Sequence, residues 1–329
     1  KMIRYIIIGM ISVVMAQNTN QEIITFQSAN PFSFEEIIMD LENEPIQEVF
    51  GTLTLPNDYD PDTKYPLIIG AAGSLNWSSH HLDYLAMYQE MGFATFQVQS
   101  FDSRDIQSTV GTQVAVTTAM VILDSYRALE TLSTHPNIDV DRAGITGWSL
   151  GGAVSLYSAW LPLVSAINGG EFMFAAHLPI YPPCVIYPHP AENMQFSDAP
   201  IHILIGELDN WVPAVACTEL LDKMEASGFA MNIDLTIYKD SHHSFDKRST
   251  EIIVVENGYT LGDCRFPMNE EGTSFLSESW KIPINTPLMQ KLALMTCAGR
   301  GPSFGGNADA REQSFAFAKE FFTKHLLSD

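Results

Sequence analysis

The pentapeptide Gly147-Trp148-Ser149-Leu150-Gly151 constrains this chain more than any other stretch. Before this G-x-S-x-G pattern lies a short apolar run, Ala143 to Thr146. After it, Gly152 to Trp160 is rich in small residues and reads as a helix. Strand, sharp turn and helix together give the pattern mechanical meaning: a serine at such a turn is held in a strained backbone with its hydroxyl exposed. Glycines flank it because side chains would collide in so tight a turn.

The surrounding sequence supplies the sheet that such a turn needs. Tyr65–Gly70, Phe93–Val98, Phe174–Ile180 and Ile201–Gly206 are short apolar strand candidates. His81–Met91, residues 112–133, Val215–Ser227 and Ala308–Leu327 have helical patterns. In the first of these helices Leu82, Leu85, Met87 and Tyr88 form the expected buried face. Residues 17–45 read as a polar, acidic, mobile lead-in. Alternation of strands and helices predicts an α/β architecture with a mainly parallel sheet and helices on both faces. With 329 residues, 46% of them hydrophobic, one large domain over 17–329 suits the chain better than two small ones.

The 39 acidic and 17 basic side chains give a net charge of −22. Such a surface repels nucleic acid and anionic membranes, so neither is expected as a partner. Residues 1–16 have the layout of a secretory signal peptide: Lys1 and Arg4, an apolar run from Ile6 to Met15, then small residues at Val14 and Ala16 before Gln17. The expectation is a mature chain beginning near Gln17, secreted or periplasmic, with no membrane segment of its own. Cys184, Cys217, Cys264 and Cys297 suit that compartment as two disulfides. Three connectivities exist; Cys184–Cys217 with Cys264–Cys297 is favoured because each pair ties elements close in the chain.

Acyl transfer by serine needs a base, an acid that orients the base, and donors for the oxyanion. In the α/β-hydrolase order the acid follows the serine and the histidine comes last. Asp209 lies just after the Ile201–Gly206 strand, where sites form in open α/β sheets, and is the expected acid, with Glu207 as its rival. The base is expected at His243, with the adjacent His242 as the alternative. The other seven histidines, His80 and His81 among them, show no ligand spacing and read as structural or exposed. Oxyanion donors are expected at the backbone N–H of Leu150 and in the loop after the Tyr65–Gly70 strand, at Ser74. This chemistry needs no cofactor and no metal. Trp77, Trp148 and Trp211 lie near these motifs, either lining a cleft or packing around the turn.

Taken together, the run Asn137–Arg142 leading into Gly144–Gly152, then Ile205–Pro213, then Tyr238–Asp246 resembles the dienelactone hydrolase family of the α/β-hydrolases. The resemblance spans roughly residues 46–247 and the final helix. Its H-x-F-D ending implies His243 as the catalytic histidine. The nucleophile here is serine, where members named for dienelactone hydrolysis use cysteine. Residues 248–306, with two of the cysteines, four prolines and a Gly-rich end, read as an insertion that caps the site and shapes the acyl or alcohol pocket. The expected function is a secreted serine hydrolase of carboxylic esters, acting on a small-molecule or polymeric ester. A peptidase or polymer hydrolase with the same triad, or a binding protein on this scaffold, are the alternatives.

Overall fold

The computed structural model describes residues 20–111, 113–228 and 232–327. The expected signal segment 1–16 and the expected start at Gln17 lie outside the described residues. The chain opens with β1 (Gln21–Ala29), α1 (Phe34–Asp40), β2 (Ile46–Thr54), β3 (Tyr65–Ala71), α2 (Ser79–Glu90), β4 (Ala94–Val98) and α3 (Thr118–Leu132). It continues through β5 (Ile138–Trp148), α4 (Leu150–Tyr157), α5 (Leu161–Asn168), β6 (Ala176–Ile180), β7 (Ile186–Pro188), β8 (Ile201–Gly206), α6 (Ala214–Ala226) and β9 (Ile233–Tyr238). Eight strands form one sheet in the order β1-β2-β4-β3-β5-β6-β8-β9. The first two strands pair antiparallel, β2 meets β4 antiparallel, and every later neighbour is parallel. Central β3, β6 and β8 are almost wholly buried, as is β5 from Ala143 to Trp148, as helices on both faces require. This is the α/β-hydrolase fold.

Two local expectations are corrected. The described part of the lead-in is ordered: β1 pairs with β2 over its whole length, from Gln21 opposite Thr54 to Ala29 opposite Ile46. Phe26, Ser28 and Ala29 are buried while Ile23 is exposed, so edge position hides the usual apolar alternation. Ser33 caps α1 by accepting from Glu36 N, and Phe34 packs its ring 5.6 Å from that of Tyr157. In α2, Leu82 is exposed, and the buried face is His80, His81, Tyr84, Leu85, Met87 and Tyr88. Its first turn points into the protein, so two histidines are inside.

The segment 248–306 forms β10 (Ile253–Val254), β11 (Tyr259–Thr260), β12 (Phe266–Met268), α7 (Pro287–Cys297), β13 (Gly299–Arg300) and β14 (Ser303–Phe304). β12 pairs parallel with β7, which docks the segment beside the main sheet. Its far end returns to the scaffold: Gly305 N donates to His243 O at 2.9 Å and Asn307 N to Phe245 O at 2.8 Å. The last helix, α8 (Ala308–Phe322), then packs on the sheet, with Phe322 buried over Gly144. The disulfides are Cys184–Cys217 and Cys264–Cys297. Among the described residues no helix is long and apolar enough to cross a membrane.

Candidate active site

Ser149 sits between β5 and α4 with φ 57° and ψ −112°. A positive φ in a non-glycine residue is uncommon and costly, and it is held here by packing. A Cβ on Gly147 would lie 2.1 Å from Gly151 O, and one on Gly151 would lie 2.0 Å from Ala71 O. Only glycine fits at either position. Ser149 N donates to Ile180 O at 2.9 Å, which pins the turn to the end of β6.

Asp209 and His243 meet beside it, each on the loop after a parallel strand. Asp209 Oδ1 accepts from Trp211 N and Val212 N, both at 2.9 Å. Asp209 Oδ2 lies 2.7 Å from His243 Nδ1. Both side chains are buried, so the carboxylate's charge is matched by two backbone donors and the imidazole. With Nδ1–H donated to the carboxylate, Nε2 is the nitrogen left with a lone pair. His243 and Ser149 line one small pocket. The rivals are engaged elsewhere: Glu207 Oε2 accepts from Asp240 N at 3.0 Å, and His242 Nδ1 lies 3.2 Å from Ser303 Oγ.

The loop after β3 comes close to the elbow, since a Cβ on Gly73 would stand 3.7 Å from Ser149 Cβ. Ser74 is tied by its other groups: its Oγ donates to Gln113 Oε1 at 3.0 Å, and its carbonyl accepts from Thr109 N at 2.9 Å. Among the described residues neither Ser74 N–H nor Leu150 N–H has a hydrogen-bond acceptor. At Leu150 this is an N–H at the start of α4 beside the Ser149 hydroxyl, a place that suits negative charge.

Among further residues that reach the small pocket are His80, His81, Tyr181 and Lys247, none of them placed at the site from the sequence. The His81 ring stacks on Trp148 at 4.4 Å, and its Nδ1 accepts from Ser78 N. Burial holds both histidines below the ordinary imidazole range, His81 well below it. Tyr181 follows β6 and donates to buried Asp246 Oδ1 at 3.0 Å, its ring 4.6 Å from that of His243. Its place at a parallel strand's C-terminal end was the one usable clue. Trp148 is fully buried; it and Trp211 line the pocket.

A second, larger space also borders Ser149. It is a cavity of about 200 Å³, against about 50 Å³ for the pocket at His243. Ser149, Leu150 and Ser74 are on its wall and His243 is not. The segment 248–306 contributes Tyr259, Leu261, Phe266, Ile284, Ala293 and Leu294 to it. Among the described residues no cluster of His, Cys, Asp or Glu is arranged to hold a metal ion.

A family model described as the dienelactone hydrolase family matches residues 84–269. A Bradyrhizobium protein described as "probable 2-oxo-3-(5-oxofuran-2-ylidene)propanoate lactonase" is 25% identical over 146 residues, which are 43% of this chain. The match spans 56% of that relative's length. Among solved structures, a dienelactone hydrolase-like promiscuous phosphotriesterase from metagenomic libraries superposes with a TM-score of 0.56 at 12% identity, over 93% of this chain and 99% of that one. Thermogutta terrifontis esterase 2, phosphorylated by paraoxon, gives a TM-score of 0.48 at 15% identity, over 60% of this chain and 80% of that one.

Proposed function

This chain belongs to the dienelactone hydrolase family, whose members are hydrolases, and from that premise we propose that it is a serine esterase acting on carboxylic esters. The observation that carries the reading is the 2.7 Å contact between Asp209 and His243, in the same pocket as a serine on a strained turn. Ser149 Oγ attacks the ester carbonyl while His243 Nε2 takes its proton. Asp209 keeps the imidazole in the required tautomer and stabilises its charged form. Leu150 N–H and Ser74 N–H receive the oxyanion. His243 then protonates the departing alkoxide and activates the water that releases the acid.

The two disulfides support a protein that works outside the cytoplasm. The net charge of −22 supports a small-molecule or polymeric ester as partner rather than nucleic acid. The test is ester hydrolysis by the wild type and by Ser149→Ala, with fluorophosphonate labelling mapped by mass spectrometry. The expected result is label on Ser149 and loss of turnover by a factor on the order of 10⁴ or more in the variant. Equal turnover by both proteins would remove Ser149 from the mechanism.

A further inference from the structure

We propose that the cavity walled by the 248–306 segment is the acyl pocket, and that it takes an uncharged hydrocarbon acyl chain of ~6–8 carbons. This rests on the serine esterase reading and adds to it the side of the ester that each space receives.

The assignment follows from where the histidine is. In ester cleavage the base that deprotonates the serine must next protonate the leaving oxygen, so the alcohol departs on the histidine's side. His243 lines the small pocket and is absent from the wall of the large cavity. Ser149 and Ser74 border both spaces, whereas Leu150, the other oxyanion candidate, is on the wall of the large cavity alone. A carbonyl carbon bonded to Ser149, with its oxygen on those N–H groups, therefore directs its acyl substituent into the large space. The small pocket holds the alcohol and then the water.

The chemistry of the wall sets the class of acyl group. The chain has 39 acidic and 17 basic side chains, yet among the described residues no Asp, Glu, Lys, Arg or His lines the cavity. Its wall is dominated by aromatic and aliphatic groups such as Phe34, Tyr157, Val185, Phe266 and Leu294. Of the neutral polar side chains, Gln113 accepts from Ser74 Oγ and Thr117 Oγ1 donates to Pro31 O, so both are occupied by the protein itself. A charged substituent would lose its hydration there with no counter-charge in reach. The volume sets the length: a dry apolar cavity of about 150 Å³ accommodates benzene, so one of about 200 Å³ takes slightly more.

The test is a series of methyl esters from acetate through hexanoate, octanoate and laurate, followed by titration of released acid with the full chain. Each buried methylene should raise kcat/KM roughly fourfold. The expected profile climbs by on the order of 10²-fold from acetate to hexanoate, and by up to about 10³-fold to octanoate where the whole chain is buried, and falls at laurate. Ala293→Phe, at the cavity wall, should lower the octanoate-to-acetate ratio about tenfold or more. Leu294→Ala should move the optimum toward longer chains, which keeps the proposal testable where the phenylalanine does not fold. Turnover that depends on Ser149 but is best on acetate, or flat along the series, overturns the acyl pocket and leaves the esterase reading standing. No turnover of any ester and no fluorophosphonate label on Ser149 overturns both.

Discussion

At the scale of single residues, the proposed mechanism depends on which way one imidazole holds its proton. Asp209 Oδ2 takes Nδ1–H while Oδ1 is fixed by two backbone donors. Asp209→Asn keeps the shape but offers an amide N–H to Nδ1, which forces the wrong tautomer. Its turnover should fall by a factor on the order of 10⁴ with the fold intact by circular dichroism, whereas Glu207→Gln should stay within about twofold. A Glu207→Gln loss as large as that of Asp209→Asn would exchange their roles. Positions at strand ends were legible in the chain, because the order of serine, acid and histidine follows the order of parallel strands. Glu207 versus Asp209 and His242 versus His243 were legible only as alternatives, since neighbouring side chains on a turn point in different directions. His80 and His81 were set aside for want of ligand spacing. They reach the site because α2 folds its first turn against Trp148, a contact that no local pattern encodes.

At the scale of elements, the 248–306 segment has few strand pairs of its own and is stapled across its middle by Cys264–Cys297. Closing a loop of separation 33 restricts the unfolded chain by roughly 3–4 kcal/mol in the chain-entropy model. Paired Cys264→Ser and Cys297→Ser changes should cost about that much in urea unfolding, and they should increase proteolysis inside the segment before the sheet is cut. Cleavage that begins equally in β3 or β5 would contradict a separately held segment. Its prolines and Gly-rich end made a break in the βα rhythm legible. That Phe266–Met268 pairs with Ile186–Pro188 was not, because three-residue strands carry no periodicity. The same weakness explains β1, where only Phe26, Ser28 and Ala29 turn inward and a polar edge reads as a tail.

At the scale of the whole molecule, buried histidines tie stability to pH. His177 is packed between Ser155 O, 2.8 Å from its Nδ1, and the Phe174 ring, and desolvation lowers it from 6.5 to about 4. An unfolded chain takes up a proton below 6.5 that the native chain refuses until about 4, so stability is full above that window and falls as pH drops through it. The loss reaches about 3 kcal/mol for His177 alone, and His80 and His81 shift in the same direction. Unfolding of wild type and His177→Asn at pH 7.5 and 4.5 should show the smaller acid loss in the variant; equal losses would mean that His177 is already protonated in the native state. The sheet and the order of its motifs were legible because they repeat; the cavity was not, because it forms between parts far apart in the chain, Phe34 at one end and Leu294 at the other. Lys247 and Gly306 bring the two ends of the 248–306 segment together: Gly306 N bonds to Ser249 O at 2.8 Å, and a Cβ on Gly306 would lie 2.1 Å from Lys247 O. The segment thus leaves and rejoins the path of the main chain at one seam, while β12 docks it on β7. Under the proposed reading, a change of length or sequence beyond that seam leaves the chain's path from β9 to α8 in place, so appetite and reactivity are set by different stretches of the chain.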